Sequence, residues 1–484
     1  MSLIKFIGIN TEKSKFIAFI SIITVILLLK ILINNLINLP LHFDEAQYWD
    51  WSKNIAWGYF SKPPILPIFI NFTTSICGDT ENCLRSLSPV LYFFTTLIIS
   101  YSIFNITNNY KKSFFGGLLF ILMPGVTFSS LMISTDVPLL FFSSIICLII
   151  IKLYLSQEKK LLYYLLFSIA VSLSILAKYA TSYIFLSILI SIFLHKKNRL
   201  IFVNTKFLIS MLLILFLISP HILWNINNQF VTLTHTASNA NLKQFNFNLY
   251  QGVFFLLSQA IIFGLIPIYF LIKSIKSYIQ FTELQKFLLL NFTIPIAVIL
   301  VLSIISRANA NWAVVGYPFG CVLLASLIKN NTNKSIKLCL FNQIIFSLTL
   351  VSFISFKISD SFDPFYKLRH VRELSQIIKK EISTRSNVAF IADDREDYAS
   401  MLYYLRDLNI KKAKWNGDEK ISDHYELTTD VNKLSGKDVL LLTRTKPTKS
   451  MIEKSTFYEK IYSYKVLYKN KKREFNIFIM HNWH

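Results

Sequence analysis

Six side chains of this 484-residue sequence are of a type and in a place to do chemistry. Asp44 and Glu45 are adjacent within 40–67, a stretch crowded with His42, Phe43, Tyr48, Trp49, Trp51 and Tyr59. Asp136 follows Ser134-Thr135, and the bases are Lys62, Lys178 and Arg307. Carboxylates hemmed in by aromatic rings lose water, which raises their pKa or orients them as bases. A lysine ahead of Pro63-Pro64 is a point charge suited to a lipid phosphate. Acids that accept a proton and cations that hold a departing anion are the parts of a group-transfer reaction. Each residue also has an ordinary explanation. Asp136 would cap a helix, Lys62 would snorkel to headgroups, and the aromatics would belt a membrane interface rather than stack on a sugar.

The elements that must position these residues are hydrophobic helices. The chain is 53% hydrophobic and only 16% charged, against about 25% charged in soluble domains. Apolar blocks fall near 16–37, 86–104, 113–131, 138–155, 161–177, 180–194, 206–223, 250–272, 287–305, 312–328 and 336–357. Helices of about 18 residues cross the hydrocarbon core, which predicts about eleven spans. Continuous apolarity without a period of two excludes a membrane barrel. The piece at 65–72 is too short to cross and reads as a re-entrant or interfacial helix.

A net charge of +23 does not imply nucleic acid, because the bases gather in alternate loops. Lys5, Lys13 and Lys15, Lys111-Lys112, Lys159-Lys160, 195–199, Lys273 with Lys276, and Lys329 with Lys334 mark the cytoplasmic side. The other loops face outward and carry Asp44-Glu45, Lys62, Asp136, Lys178, Asn225 with His235, and Arg307 with Asn309 and Asn311. Scattered acids, bases and amides on one wet rim predict a single site at the outer surface. Ionisable groups at membrane depth are costly and mark function. A transporter would instead place its polar groups near the midplane, on broken and repeated helices; no internal repeat is visible here. Tyr48, Trp49, Tyr59, Asn225, His235, Asn309 and Asn311 are the substrate-binding candidates. Asp44, Glu45 and Asp136 are the catalytic ones, and the same three acids could hold a divalent metal ion.

From residue 358 the composition becomes mixed and charged. Strands are expected at 388–392 and 439–442, a helix at 396–405, and a closing strand pair at 457–468 and 475–480. The chain therefore reads as a polytopic α-helical membrane domain over 1–357, with a first external loop at 38–85, and a small extracytoplasmic α/β domain over 358–484. The run Asp393-Asp394-Arg395-Glu396 reads as a helix N-terminus. Cysteine spacing shows no metal or redox motif. Cys77 and Cys83 are expected as free thiols, with a disulfide between them the alternative.

The run His42-Phe43-Asp44-Glu45-Ala46-Gln47-Tyr48-Trp49, with Trp57-Gly58-Tyr59-Phe60-Ser61-Lys62-Pro63-Pro64, resembles the first external loop of bacterial GT-C glycosyltransferases. It looks most like family 39, the protein-mannosyltransferase-like group related to the lipid A aminoarabinose transferase. Ser134-Thr135-Asp136-Val137-Pro138, Ala177-Lys178-Tyr179, 220–225 and 306–312 extend the resemblance, as do 392–396 and 423–428. It implies an inner-membrane enzyme that takes a sugar from an undecaprenyl-phosphate carrier and attaches it, with inversion, to lipid A or another envelope glycan. A protein O-mannosyltransferase is the alternative enzyme, and a sugar-lipid transporter the alternative of another class. By motif position Asp44 matches the catalytic or acceptor-orienting acid, Lys62 the carrier-phosphate lysine and Asp136 a second acid of the same cavity. Lys178 and Arg307 are further candidates for the carrier phosphate. Ser61 stands where the aminoarabinose branch has an acid, which argues against aminoarabinose as donor.

Overall fold

A computed structural model describes residues 12–241, 247–328, 333–355, 365–468 and 471–484. Lys5, Lys329 and the composition break at 357/358 lie outside the described residues. The chain divides into two compact units. A helical unit takes 1–36, 62–66 and 82–352; a mixed unit takes 37–61, 67–81 and 353–484. The stretch that carries Asp44 and Glu45 thus packs with the C-terminal segment, whereas a reading by composition groups it with the apolar helices.

In the helical unit every apolar block forms helix, yet length and hydropathy admit fewer spans than the roughly eleven expected. Among the described residues seven helices are long and apolar enough to cross: Ser14–Ile37, Glu81–Thr107, Asp136–Leu155, Thr205–Asn227, Glu283–Ile305, Ala310–Leu327 and Asn333–Ser355. The block at 250–272 becomes Leu249–Phe263 and Leu265–Ile275, bent by 106° and countable as an eighth. The hinge is Gly264, whose φ of +110° is open to glycine alone among ordinary residues. Bending frees the Phe263 carbonyl, and Gln343 Nε2 donates to it at 2.7 Å. The block at 113–131 breaks into Tyr110–Ile121 and Pro124–Ser129 because Pro124 can start a helix but not continue one. Lys30, buried in the first span, donates to the Ile121 carbonyl at 2.8 Å and to Ser130 Oγ at 3.0 Å. A single lysine inside an apolar run is the sign of that contact in the sequence. Leu161–Ala177 is a shorter helix, as is Ile65–Cys77, which agrees with a piece too short to span.

The mixed unit is built on a five-stranded sheet in the order β2-β1-β3-β5-β4. Its strands are β1 (Val388–Ala392), β2 (Lys412–Lys414), β3 (Asp438–Thr443), β4 (Phe457–Tyr468) and β5 (Lys471–His481). β1 runs parallel to β2 and β3, while β5 runs antiparallel to β3 and β4. Both faces of β1 and β3 are covered, so they read as unbroken apolar runs. Ala389, Ile391, Val439, Leu441, Phe478, Met480 and Trp483 form the core of one face. Helix Arg395–Tyr404 packs against helix Phe43–Lys53 from the early stretch. Cys77 and Cys83 are both disulfide-bonded, which corrects the expectation of free thiols; Cys147, Cys321 and Cys339 are free and buried.

Gly264→Ala should lower the stability of the purified protein in detergent by about 1–3 kcal/mol, the usual cost of an L-residue in that backbone region. The added Cβ would also come within 2.6 Å of Gln343 Oε1. Thermal unfolding followed by tryptophan fluorescence checks this, and an unchanged midpoint would mean that the bend does not depend on glycine.

Candidate active site

Three polar side chains meet in the helical unit. Asp136 is the first residue of helix Asp136–Leu155 and is almost wholly buried. Its Oδ1 lies 2.5 Å from Lys178 Nζ, and its Oδ2 accepts from Asn311 Nδ2 at 2.6 Å. The N-cap is Thr135, which makes no side-chain cap bond, so capping does not account for Asp136. Lys178 ends the short helix Leu161–Ala177 with extended backbone, and the chain then turns through the 3-10 helix Tyr179–Thr181. Thr181 Oγ1 ties that turn back, bonding Ser174 Oγ at 2.7 Å and the Lys178 carbonyl at 3.1 Å. Asn311 rides on the 3-10 segment Ala310–Gly316. Gln259 Nε2 holds the Ala310 carbonyl at 2.8 Å, and Tyr317 donates to Gln259 Oε1 at 2.7 Å. Gly316 lets this segment lie flat on helix Glu283–Ile305; a Cβ there would meet the Asn291 carbonyl oxygen at 2.7 Å.

The side chains of Lys178 and Asp136 are 15% and 10% exposed. An ion pair this deep differs from a surface pair worth about 0–1 kcal/mol. Removing one partner would strand a buried charge, at a cost of about 3–5 kcal/mol. Tyr179 follows Lys178 in sequence and leads to a second polar group. Tyr179 Oη bonds His221 Nε2 at 2.6 Å, and Asn225 Nδ2 lies 3.2 Å from the same nitrogen. Asn225 is buried and its Oδ1 has no partner among the described residues. His221 was missed by sequence reading although it lies within the 220–225 run. Arg307 and Asn309 are exposed on the loop that Ser306 anchors to the Ala240 carbonyl, and Arg307 has no ion pair among the described residues. His235 bonds Asn239 within its own helix, and Lys62 is half-buried ahead of helix Ile65–Cys77.

A separate cluster surrounds Asp44 in the mixed unit. Helix Phe43–Lys53 starts at a reciprocal cap: Asp44 N–H donates to His42 Nδ1, and His42 N–H donates to Glu45 Oε2 at 2.9 Å. Glu45 is 2% exposed and spends its carboxylate on that cap. Asp44 points the other way. Its side chain is 45% exposed, so it is not the desolvated acid expected from its aromatic neighbours. Those rings pack beneath it instead. Trp49 donates to Asp79 and meets Tyr403 edge-on, Tyr48 lies against Trp51, and Trp51 stacks on Tyr59 at 4.5 Å. Tyr48, Trp49 and Tyr59 are all buried, so they fix the loop and present no open face for a sugar. Arg395 reaches Asp44 Oδ1 at 3.3 Å and Gln47 Oε1 at 2.5 Å, with its guanidinium over the Phe43 ring. Arg395 follows the N-cap Asp394, so the run 393–396 is a helix N-terminus as expected. Among the described residues no three His, Cys, Asp or Glu side chains are grouped to hold a metal ion. Asp136 pairs with Lys178 and Asn311, and Glu45 Oε2 accepts the His42 N–H of its cap.

One acid on the same helix was overlooked. Asp50 has no hydrogen bond among the described residues, and burial pushes its carboxyl up to about 7 against the opposing pull of Lys412. Burial pushes the Tyr59, Tyr398 and Tyr425 phenols up, and the nearby Asp50 adds to each shift. Trp51 Nε1, His424 Nδ1 and Tyr425 Oη beside it are also buried without partners among the described residues, an unusual density of unsatisfied groups. Burial holds His424 down at about 4, hence neutral. Because the folded state binds the Asp50 proton more tightly than the unfolded chain, stability should fall as pH rises from the ordinary carboxylate range through about 7. Asp50→Asn stays neutral. Its unfolding midpoint should match the parent near pH 4 and exceed it at about pH 8; a constant difference at all pH values would show that Asp50 does not titrate in this range.

Comparison with known proteins adds identity to this geometry. Residues 61–224 match the family described as dolichyl-phosphate-mannose-protein mannosyltransferase. The lipid A galacturonosyltransferase RgtD of Rhizobium johnstonii is 26% identical over 383 residues, which cover 76% of this chain and 78% of that protein. The crystal structure of ArnT from Cupriavidus metallidurans in the apo state superposes with a TM-score of 0.65 at 10% identity, over 96% of this chain and 97% of the other. Its complex with undecaprenyl phosphate gives 0.68 at 11%, over 97% and 98%. The helices and the sheet thus have the fold seen in the ArnT structures, and the chain is a multi-pass membrane glycosyltransferase similar to these relatives.

Proposed function

We propose that this enzyme moves a sugar from a polyprenyl-phosphate carrier to lipid A, at the outer face of the cytoplasmic membrane. The observation that carries the reading is Lys178, a lysine fixed at the end of a helix by Asp136, whose other oxygen is held by Asn311. A fixed ammonium suits a leaving phosphate, since it needs no reorganisation as charge develops on the phosphoryl oxygen. Lys62 and the exposed Arg307, which has no ion pair among the described residues, add positive charge for the same carrier. In one displacement the acceptor oxygen bonds to the anomeric carbon, the carbon–oxygen bond to phosphate breaks, and the configuration inverts. Asp44 takes the acceptor proton, with Arg395 orienting its carboxylate. The RgtD relative favours lipid A as acceptor and a uronic acid as donor. The disulfide-bonded Cys77 and Cys83 support an oxidising, outward location for the first loop, as does the lysine bias of alternate loops. The description of the matched family keeps a protein acceptor as the second reading.

Lipid A extracted from cells with and without the gene should differ by one glycosyl residue in mass spectrometry; unchanged lipid A with lost glycoprotein staining would favour the second reading. Asp44→Asn should lose at least about 100-fold in transfer, the usual contribution of a general base, while inserting and folding normally. Lys178→Gln should lose activity and stability together, because it strands Asp136, whereas Arg307→Gln should lose activity alone. Full turnover in either lysine or arginine variant would remove that residue from the carrier site.

A further inference from the structure

The mixed unit carries a cleft of about 450 Å³ that none of the residues above explains. It opens beside β3, β5 and β4, between the turn after Thr443 and the start of β4. Its volume is in the range of small-molecule sites, about 300–1,000 Å³. Phe478 lies at its base and Tyr458, 38% exposed, forms one wall, with the two rings 6.2 Å apart. Arg444, Lys446 and Lys460 bring positive charge to it, and Glu474 and Asn476 bring hydrogen-bonding groups.

The cations are available to a ligand. Lys446 is exposed, and its ammonium has no ion pair or hydrogen bond among the described residues. Lys460 approaches Glu474 only at 3.9 Å. Arg444 is fastened from behind: Nε donates to Asp397 at 2.7 Å, and Nη2 donates to Asp394 and Asp397 at 2.8 Å each. Its Nη1 has no hydrogen bond among the described residues, so a preorganised pair of N–H groups is left over. Preorganised donors bind an anion with little further loss of entropy. The Glu474 carboxylate, which accepts from Ser463 Oγ at 2.7 Å, and the Asn476 amide, whose Nδ2 donates to the Thr445 carbonyl at 3.2 Å, are out of place in a site for a bare anion but suit the hydroxyls or amine of a sugar. An aromatic wall suits the apolar face of a pyranose ring.

We propose that this cleft binds an anionic saccharide, a phosphorylated or carboxylated sugar of the glycolipid acceptor. The assignment of that saccharide to the acceptor rests on the transferase reading above; the binding itself does not. The test is ligand-observed NMR on the full chain in detergent, with glucosamine 1-phosphate, glucosamine and inorganic phosphate as probes and no donor present. Glucosamine 1-phosphate should bind the parent, and Lys446→Ala/Lys460→Ala should weaken it by about tenfold, the loss of one charge-assisted contact. Lys449→Ala, at a side chain 92% exposed outside the cleft, should leave binding unchanged. Equal binding to the parent and the double variant would overturn the site. Phosphate binding as tightly as the sugar phosphate would overturn its saccharide character. Neither result depends on turnover, so the site can fail while the transferase reading stands, and the reverse.

Discussion

The helical unit is organised by one buried ion pair. Lys178 and Asp136 sit where neither charge would persist alone, and three separate pieces of chain must be in place before they meet. Helix Asp136–Leu155 supplies the acid at its first residue, the end of Leu161–Ala177 supplies the base, and the 3-10 segment Ala310–Gly316 supplies Asn311. Desolvating two charges costs several kcal/mol each, and only close geometry with further hydrogen bonds returns it. Asn311 on the second carboxylate oxygen is such a bond. The features around the pair follow from this demand. Thr181 turns the chain after Lys178, Gln259 and Tyr317 pin the 3-10 segment, and Gly316 allows its backbone to approach helix Glu283–Ile305.

The mixed unit solves a different problem, that of giving a short polar helix a fixed place. Helix Phe43–Lys53 is too short to be stable alone in water. It gains order from its reciprocal cap and from burying Trp49 and Trp51 among Tyr403, Tyr59 and His424. The aromatic residues are therefore fastenings, and the residue they present is Asp44, with Arg395 beside it. That packing is imperfect, since Asp50 and three neighbouring polar atoms lack partners among the described residues. Elsewhere the same unit satisfies its buried charges fully: Lys414, 6% exposed, is held by Glu426 at 2.7 Å and Asp423 at 3.4 Å. The contrast puts the weaker packing against the helix that bears the acid.

Much of this was legible in the residues themselves. Asp44, Asp136, Lys178 and Asn311 stood out as polar groups flanking apolar blocks, and β1, β3 and the closing β4–β5 pair were read from runs of apolar and alternating residues. What was not legible had a common cause. Gly264 and Pro124 divide helices that hydropathy counts as continuous, because hydropathy averages over backbone geometry. Lys30, His221 and Asp50 looked incidental because their partners are 40 or more positions away or are lacking among the described residues. Tyr48, Trp49 and Tyr59 looked like a sugar platform because aromatic residues serve burial and stacking equally well until exposure is known.

By itself the sequence determined a helical membrane chain with a charged α/β tail, and the residue types available for phosphate and proton chemistry. Hydrocarbon thickness, the lysine bias of loops and strand periodicity act on short windows of chain, so composition suffices to express them. The tertiary structure alone decided which of these side chains pair, that Glu45 and the three aromatics are buried while Asp44 is open, and that the stretch 37–61 packs with the C-terminal segment. Pairing and burial depend on contacts between residues distant in the chain, and a change of a few ångströms in any of them turns a committed charge into a free one.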